Sequence, residues 1–173
     1  MKRYYILLLL MLVLAVLTLT GCNKTKTITL EDENFGLKTT FTYDAKEKYT
    51  EPEDVTQGAS KEIAFKNEDL DLEFEMYYTH MNKSNYDKSK QSRSLQKYYK
   101  EYKFGEYDAY VYGNYDSSVY LNILLNEEND EVDSLFVSID RIDNNQEIKV
   151  SNVVADQKVQ DFFGSIQFEK IKK

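Results

Sequence analysis

Along this chain the spacing of apolar residues changes period several times, and each change marks an element. Residues 37–43, "LKTTFTY", put Leu37, Thr39, Phe41 and Tyr43 on one face, and 62–66 repeats the pattern with Ile63 and Phe65. The clearest alternation is "LDLEFEMYY", 70–78, where Leu70, Leu72, Phe74, Met76 and Tyr78 interleave with Asp71, Glu73 and Glu75. A strand of this kind has one buried and one wet face, which predicts an antiparallel sheet. In 92–103, "SRSLQKYYKEYK", Leu95, Tyr98, Tyr99 and Tyr102 fall at helical spacing. That predicts an amphipathic helix lying on the sheet, with Ser92 or Ser94 as N-cap and Gly105 as its stop. Strands are predicted at 107–113, 117–125 and 134–140, the last two separated by the acidic turn 126–133, "NEENDEVD". Helical period returns with Val150, Val153, Val154, Val159, Phe162 and Phe163, giving a helix over 151–163 with Gly164 at its C-cap and a short end strand, "SIQFEK". The sum is an α+β fold, a mainly antiparallel β-sheet of five to seven strands with two or three packed helices.

The N-terminus follows another rule. Met1, Lys2 and Arg3 form a positive head before the uncharged apolar run Ile6 to Leu19. Its length suits the ~7–15 residues of a signal-peptide core and falls short of the about 20 needed to span a bilayer. An uncleaved anchor requires Tyr4, Tyr5, Thr20 and Gly21 to be counted in. Leu19, Thr20, Gly21 and Cys22 resemble the bacterial lipoprotein box: an aliphatic residue, a small or hydroxyl residue, a small residue, then Cys. The resemblance implies cleavage between Gly21 and Cys22 and a diacylglycerol thioether on Cys22, whose two acyl chains give stable anchoring. The expected organisation is a lipoprotein signal peptide at 1–21, a lipidated N-terminus and polar tether at 22–27, and one domain at 28–173. The implied address is the outer face of a bacterial cytoplasmic membrane. With 15 Tyr, no Trp and lysine as the prevailing base, the composition points to a low-GC Gram-positive source.

Charge and composition then narrow the chemistry. There are 30 acidic residues against 22 basic ones, a formal charge of −8 that becomes more negative if Lys2 and Arg3 leave with the signal peptide. Nucleic acid selects the opposite sign and is not an expected partner. Cys22 is the one cysteine, so a lipidated chain has no disulfide, thiol nucleophile or Cys-based metal site. The one histidine, His80, sits in "YYTHMN" near Met76 and Met81. A copper site needs more convergent ligands than these, and a Ser-His-Asp hydrolase lacks a Gly-x-Ser-x-Gly elbow, so the expected His80 is a surface or loop residue. The acidic turn lacks the ligand spacing and central Gly of a calcium loop. No catalytic residue, cofactor or metal is expected from these patterns.

What stands out is tyrosine. In 107–112, Tyr107, Ala109 and Val111 share one face and Asp108, Tyr110 and Tyr112 the other. Tyr110, Tyr112 and Tyr115 form the candidate binding face, since tyrosine gives large amphipathic contact area at low entropy cost. Against this, aromatic side chains also favour strands for their own sake. Three functions stay open: a non-catalytic binding or assembly module of the cell envelope, facing a protein, peptide or polymer; a small-ligand carrier or accessory subunit of a membrane complex, with an enclosed pocket between helix and sheet; and an envelope hydrolase using carboxylates and His80.

The order of elements also resembles the PsbP/Mog1-like sandwich domains found in several bacterial lipoproteins. Two stretches carry the likeness: Phe104-Gly105 through Tyr107-Asp108-Ala109-Tyr110, and Phe163 through Ser165-Ile166. It covers about residues 27–170, implies a layered sandwich used for binding or assembly, and transfers no functional residue.

Overall fold

The computed structural model describes residues 24–113, 118–143 and 149–171. Gly21, Cys22 and Tyr115, with the signal peptide and its cleavage point, lie outside the described residues. Near the N-terminus β1 (Thr25–Asp32) and β2 (Leu37–Asp44) form a hairpin, and the last strand, β10 (Gln167–Lys170), pairs with the other edge of β2. Between them run β3 (Glu53–Asp54), β4 (Glu62–Asn67), β5 (Leu72–Asn82), β6 (Tyr98–Phe104), β7 (Tyr107–Gly113), β8 (Val119–Glu128) and β9 (Glu131–Arg141). These seven make one antiparallel sheet in the order β3-β4-β5-β9-β8-β7-β6. Three helices complete the fold: α1 (Lys83–Arg93), α2 (Val150–Ala155) and α3 (Gln157–Gly164).

The period-two residues become the core. Phe74, Met76 and Tyr78 of β5 lie opposite Ile139, Val137 and Leu135 of β9, which continue into Val119, Leu121 and Ile123 of β8. All are fully or almost fully buried. Onto this inner face pack the three-stranded sheet and α3, whose Phe162 stacks on Phe41 at 4.8 Å between ring centroids and whose Phe163 meets Phe41 edge-on at 5.8 Å. The Tyr78 hydroxyl ties the sheets together, donating to the Leu30 carbonyl at 2.9 Å and lying 2.8 Å from Thr39 Oγ1. The outer face of the large sheet carries α1.

Several expectations change. Strand β1 begins at Thr25, inside the segment 22–27 expected as a tether, and the helix expected over 151–163 is two, α2 and α3, with Gly164 inside α3 and Ser165 as its cap. The helix expected over 92–103 is strand β6 from Tyr98 onward, and the helix lies earlier, at α1. Four-residue spacing is two strand repeats as well as one helical turn, so Tyr98 and Tyr102 lie on one face of a strand equally well. Meanwhile the polar segment "KSNYDKSKQSR" forms a helix on its ends: the Asn82 side chain accepts from Asn85 N, Lys90 and Arg93 stand in the last turn, and Lys83 pairs with Asp87 at 2.8 Å. Gly105 accordingly turns the β6–β7 hairpin at φ 59° rather than ending a helix. The acidic stretch 126–133 is mostly strand, with a tight turn confined to Asn129 and Asp130 at φ 53° and 63°. Finally, the five to seven strands expected match the large sheet alone, because β1, β2 and β10 separate into a second sheet.

Candidate functional site

The helix that the sequence pattern misplaces decides what happens to the tyrosines. Tyr110 and Tyr112 do share the outer face with Tyr120, their neighbour across the β7–β8 pairing. Tyr86 of α1 lies down on that face, with its ring 6.1 Å from Tyr110, and Arg93 at the end of α1 holds its guanidinium 5.0 Å from the Tyr112 ring centre. Tyr110 and Tyr112 are therefore only 3% and 5% exposed, so they are not the open binding face expected from their alternation. Burial pushes the Tyr110 hydroxyl up, and that of Tyr112 to about 12, so both stay neutral across the physiological range.

The aromatic row does not stop at the helix. Tyr112 stacks with Tyr120 at 5.3 Å and Tyr120 with Phe136 at 5.9 Å, and Phe136 meets Tyr77 in a tilted pair at 4.8 Å, so the row crosses from β7 to β5. Tyr120, Phe136 and Tyr77 are half-buried, and Tyr120 and Phe136 pack at the margin of the cluster that Tyr86 of α1 joins. Register sets Glu62 of β4 opposite Tyr77, and Glu75 stands two residues before Tyr77 on the same face of β5. Burial and the neighbouring Glu75 together hold the Glu62 carboxyl above the usual range. Neither acid has an ion-pair partner among the described residues.

A second feature opens at the far end of β5. A cleft of about 440 Å³ lies between the β1–β2 turn and the large sheet, with Asn34, Phe35, His80, Asp133 and Lys170 in its wall. Asp32, itself buried, builds the turn by accepting from the backbone N–H of Asn34, Phe35 and Lys61 at 2.8, 3.2 and 2.6 Å. Across from it, His80 Nδ1 is 2.7 Å from Asp133 Oδ1, Asn126 donates to Asp133 Oδ2 at 3.2 Å, and His80 Nε2 lies 3.6 Å from Glu131. Lys170 spans Glu128 at 3.0 Å and Asp133 at 3.9 Å. The contact with Asp133 fixes the imidazole ring, as a general base requires, yet among the described residues no Ser, Thr or Cys lines the cleft as a nucleophile.

No known family, curated protein or solved structure was found that matches this chain.

His80 is thus exposed, as a surface histidine was expected to be, but it stands in strand β5 with a partner rather than in a loop, and Met81 lies on the opposite face of that strand from Met76 and His80. Met76 points into the core and Met81 packs on the outer face beside Tyr86, so the three residues do not converge. Among the described residues no group of three or more His, Cys, Asp and Glu converges on a metal-sized site. The signal for the His80–Asp133 pair was present: His80 shares parity with Phe74, Met76 and Tyr78, and Asp133 with Leu135, Val137 and Ile139. A polar residue continuing an apolar face at each strand end asks for a partner.

Proposed function

We propose that this chain is a lipoprotein anchored through Cys22 on the outer face of the cytoplasmic membrane of a low-GC Gram-positive bacterium, and that its domain is a non-catalytic binding or assembly module of the cell envelope. The Leu19-Thr20-Gly21-Cys22 box supports the anchor, and Asn23 and Lys24 alone separate Cys22 from the first strand. The observation that carries the binding reading is the aromatic row on the outer face, where Tyr77, Tyr120 and Phe136 continue the series and stay half-open to solvent. Apolar patches with polar rims are where partners dock.

The finer fold reading belongs to the same proposal. A PsbP/Mog1-like sandwich is supported by the meeting of the two stretches that resemble that family. A Cβ added to Gly105 stands 3.1 Å from the Gly164 carbonyl oxygen, and the Phe104 and Phe163 rings are 5.5 Å apart. The carrier reading is weaker, because Tyr86, packed against Tyr110 and Val132, fills the space between helix and sheet where its pocket belongs. The His80–Asp133 pair in its cleft favours a second reading, an envelope hydrolase that activates water directly. That reading requires soluble fragments to be released from isolated envelope by the wild-type chain and not by His80→Ala.

The binding reading is tested on intact cells with a photoreactive residue in place of Tyr120, and the same residue in place of the exposed Glu51 as reference. A discrete protein or polymer adduct from position 120 and none from 51 is the expected result. Lipid adducts alone, or equal capture from both positions, contradict it.

A further inference from the structure

We propose that the open part of the outer face, formed by Tyr77, Tyr120 and Phe136 with Glu62 and Glu75, docks an arginine- or lysine-bearing segment of a partner protein; this rests on the binding reading above. Charge favours this occupant. Glu62 and Glu75 bracket Tyr77 by register, across the β4–β5 pairing and two residues along β5. Each lacks an ion-pair partner among the described residues, while Lys66, on the next row of this face, faces Glu73 at 3.5 Å. Two unpaired carboxylates beside a row of rings form a site short of one cation.

The same row already accepts a cation elsewhere. Arg93 holds its guanidinium 5.0 Å from the centre of Tyr112, and Tyr112 stacks on Tyr120. The attraction of a cation to an aromatic face is stronger for a partly desolvated pair. Tyr120, Phe136 and Tyr77 continue the row beside Arg93, whose charge also reaches Tyr77, and Glu62 and Glu75 add the carboxylates that Tyr112 lacks. A guanidinium suits the place best, since it stacks on rings and bonds a carboxylate through a planar fork. Neither an anionic polymer nor a nucleic acid fits, because both meet Glu62 and Glu75 with like charge.

The test uses the full chain in neutral detergent micelles and hexa-arginine as the probe, with hexa-glutamate as the reference, by titration calorimetry at low ionic strength. The wild-type chain should bind hexa-arginine and not hexa-glutamate. Glu62→Gln with Glu75→Gln should weaken binding at least tenfold. The exposed pair Glu33→Gln with Glu51→Gln removes the same charge elsewhere and should change it less than twofold. Tyr77→Leu with Phe136→Leu keeps the charge and should still weaken binding several-fold. Equal losses from both acidic pairs mean that only bulk charge is felt, and they overturn the proposal, as does absence of hexa-arginine binding. Position-specific capture from residue 120 on cells, without hexa-arginine binding, overturns this inference and leaves the binding reading standing. Failure of the cell capture removes both.

Discussion

Tyr78 shows how one side chain can set the relation between two sheets. Its ring sits in the inner core of the large sheet, and its hydroxyl reaches the Leu30 carbonyl and Thr39 of the small one. Removing that hydroxyl deletes two buried hydrogen bonds, a net loss of about 1–3 kcal/mol together. Tyr78→Phe should therefore lower unfolding stability by that amount, measured by urea denaturation, with the fold unchanged. Tyr112 makes the opposite point, since its hydroxyl is held back by burial. Its pKa stands at about 12 in the folded chain against about 10 for free tyrosine, so the unfolded chain loses its proton first. Stability from this group is complete below about pH 10 and falls as pH rises through 10 to 12. Absorbance at 295 nm should show a class of tyrosines that ionises late, together with loss of near-UV circular dichroism. Ionisation of every tyrosine near pH 10 without unfolding would contradict the burial of this row.

Secondary-structure elements are where reading and structure part, and they do so for definable reasons. Strict alternation made β2, β5, β7 and β9 legible, because a face of Leu, Phe, Val and Ile at every second position has one stable use. Tyr98 and Tyr102 were ambiguous, because their spacing fits either period. Their segment becomes an edge strand once Gly105 closes a hairpin with β7. Helix α1 carries almost no apolar signal, and its caps, not its periodicity, announce it. That one displacement explains why Tyr110 and Tyr112 were assigned correctly to a shared face and incorrectly to solvent. Register, the other missing quantity, is what brings His80 to Asp133 and Glu62 to Tyr77; neither pairing can be read from one strand by itself. Gly105 offers a test at this scale. It needs a left-handed backbone, and a side chain there would crowd the Gly164 carbonyl at 3.1 Å. Gly105→Ala should cost about 1–2 kcal/mol from backbone conformation alone, with the contact adding to it. A thermal melt unchanged from wild type would show that the β6–β7 turn and the end of α3 are not so closely joined.

For the whole molecule the decisive relation is between anchor and domain. Cys22 is followed by Asn23, Lys24 and then β1, so an anchor there leaves almost no tether and brings the Thr25 end of β1 close to the membrane. The eight residues of β1 carry the chain about 26 Å before the turn at Asn34 and Phe35, which walls the His80 cleft. The most direct measurement is mass spectrometry of the intact chain extracted from membranes of cells that express it. The account predicts a chain that begins at Cys22 with a diacylglyceryl group on its sulfur, and a Cys22→Ala variant that is neither lipidated nor cleaved after Gly21. A membrane chain that still begins at Met1 with a free thiol at Cys22, or a lipidated Cys22→Ala chain, would contradict it.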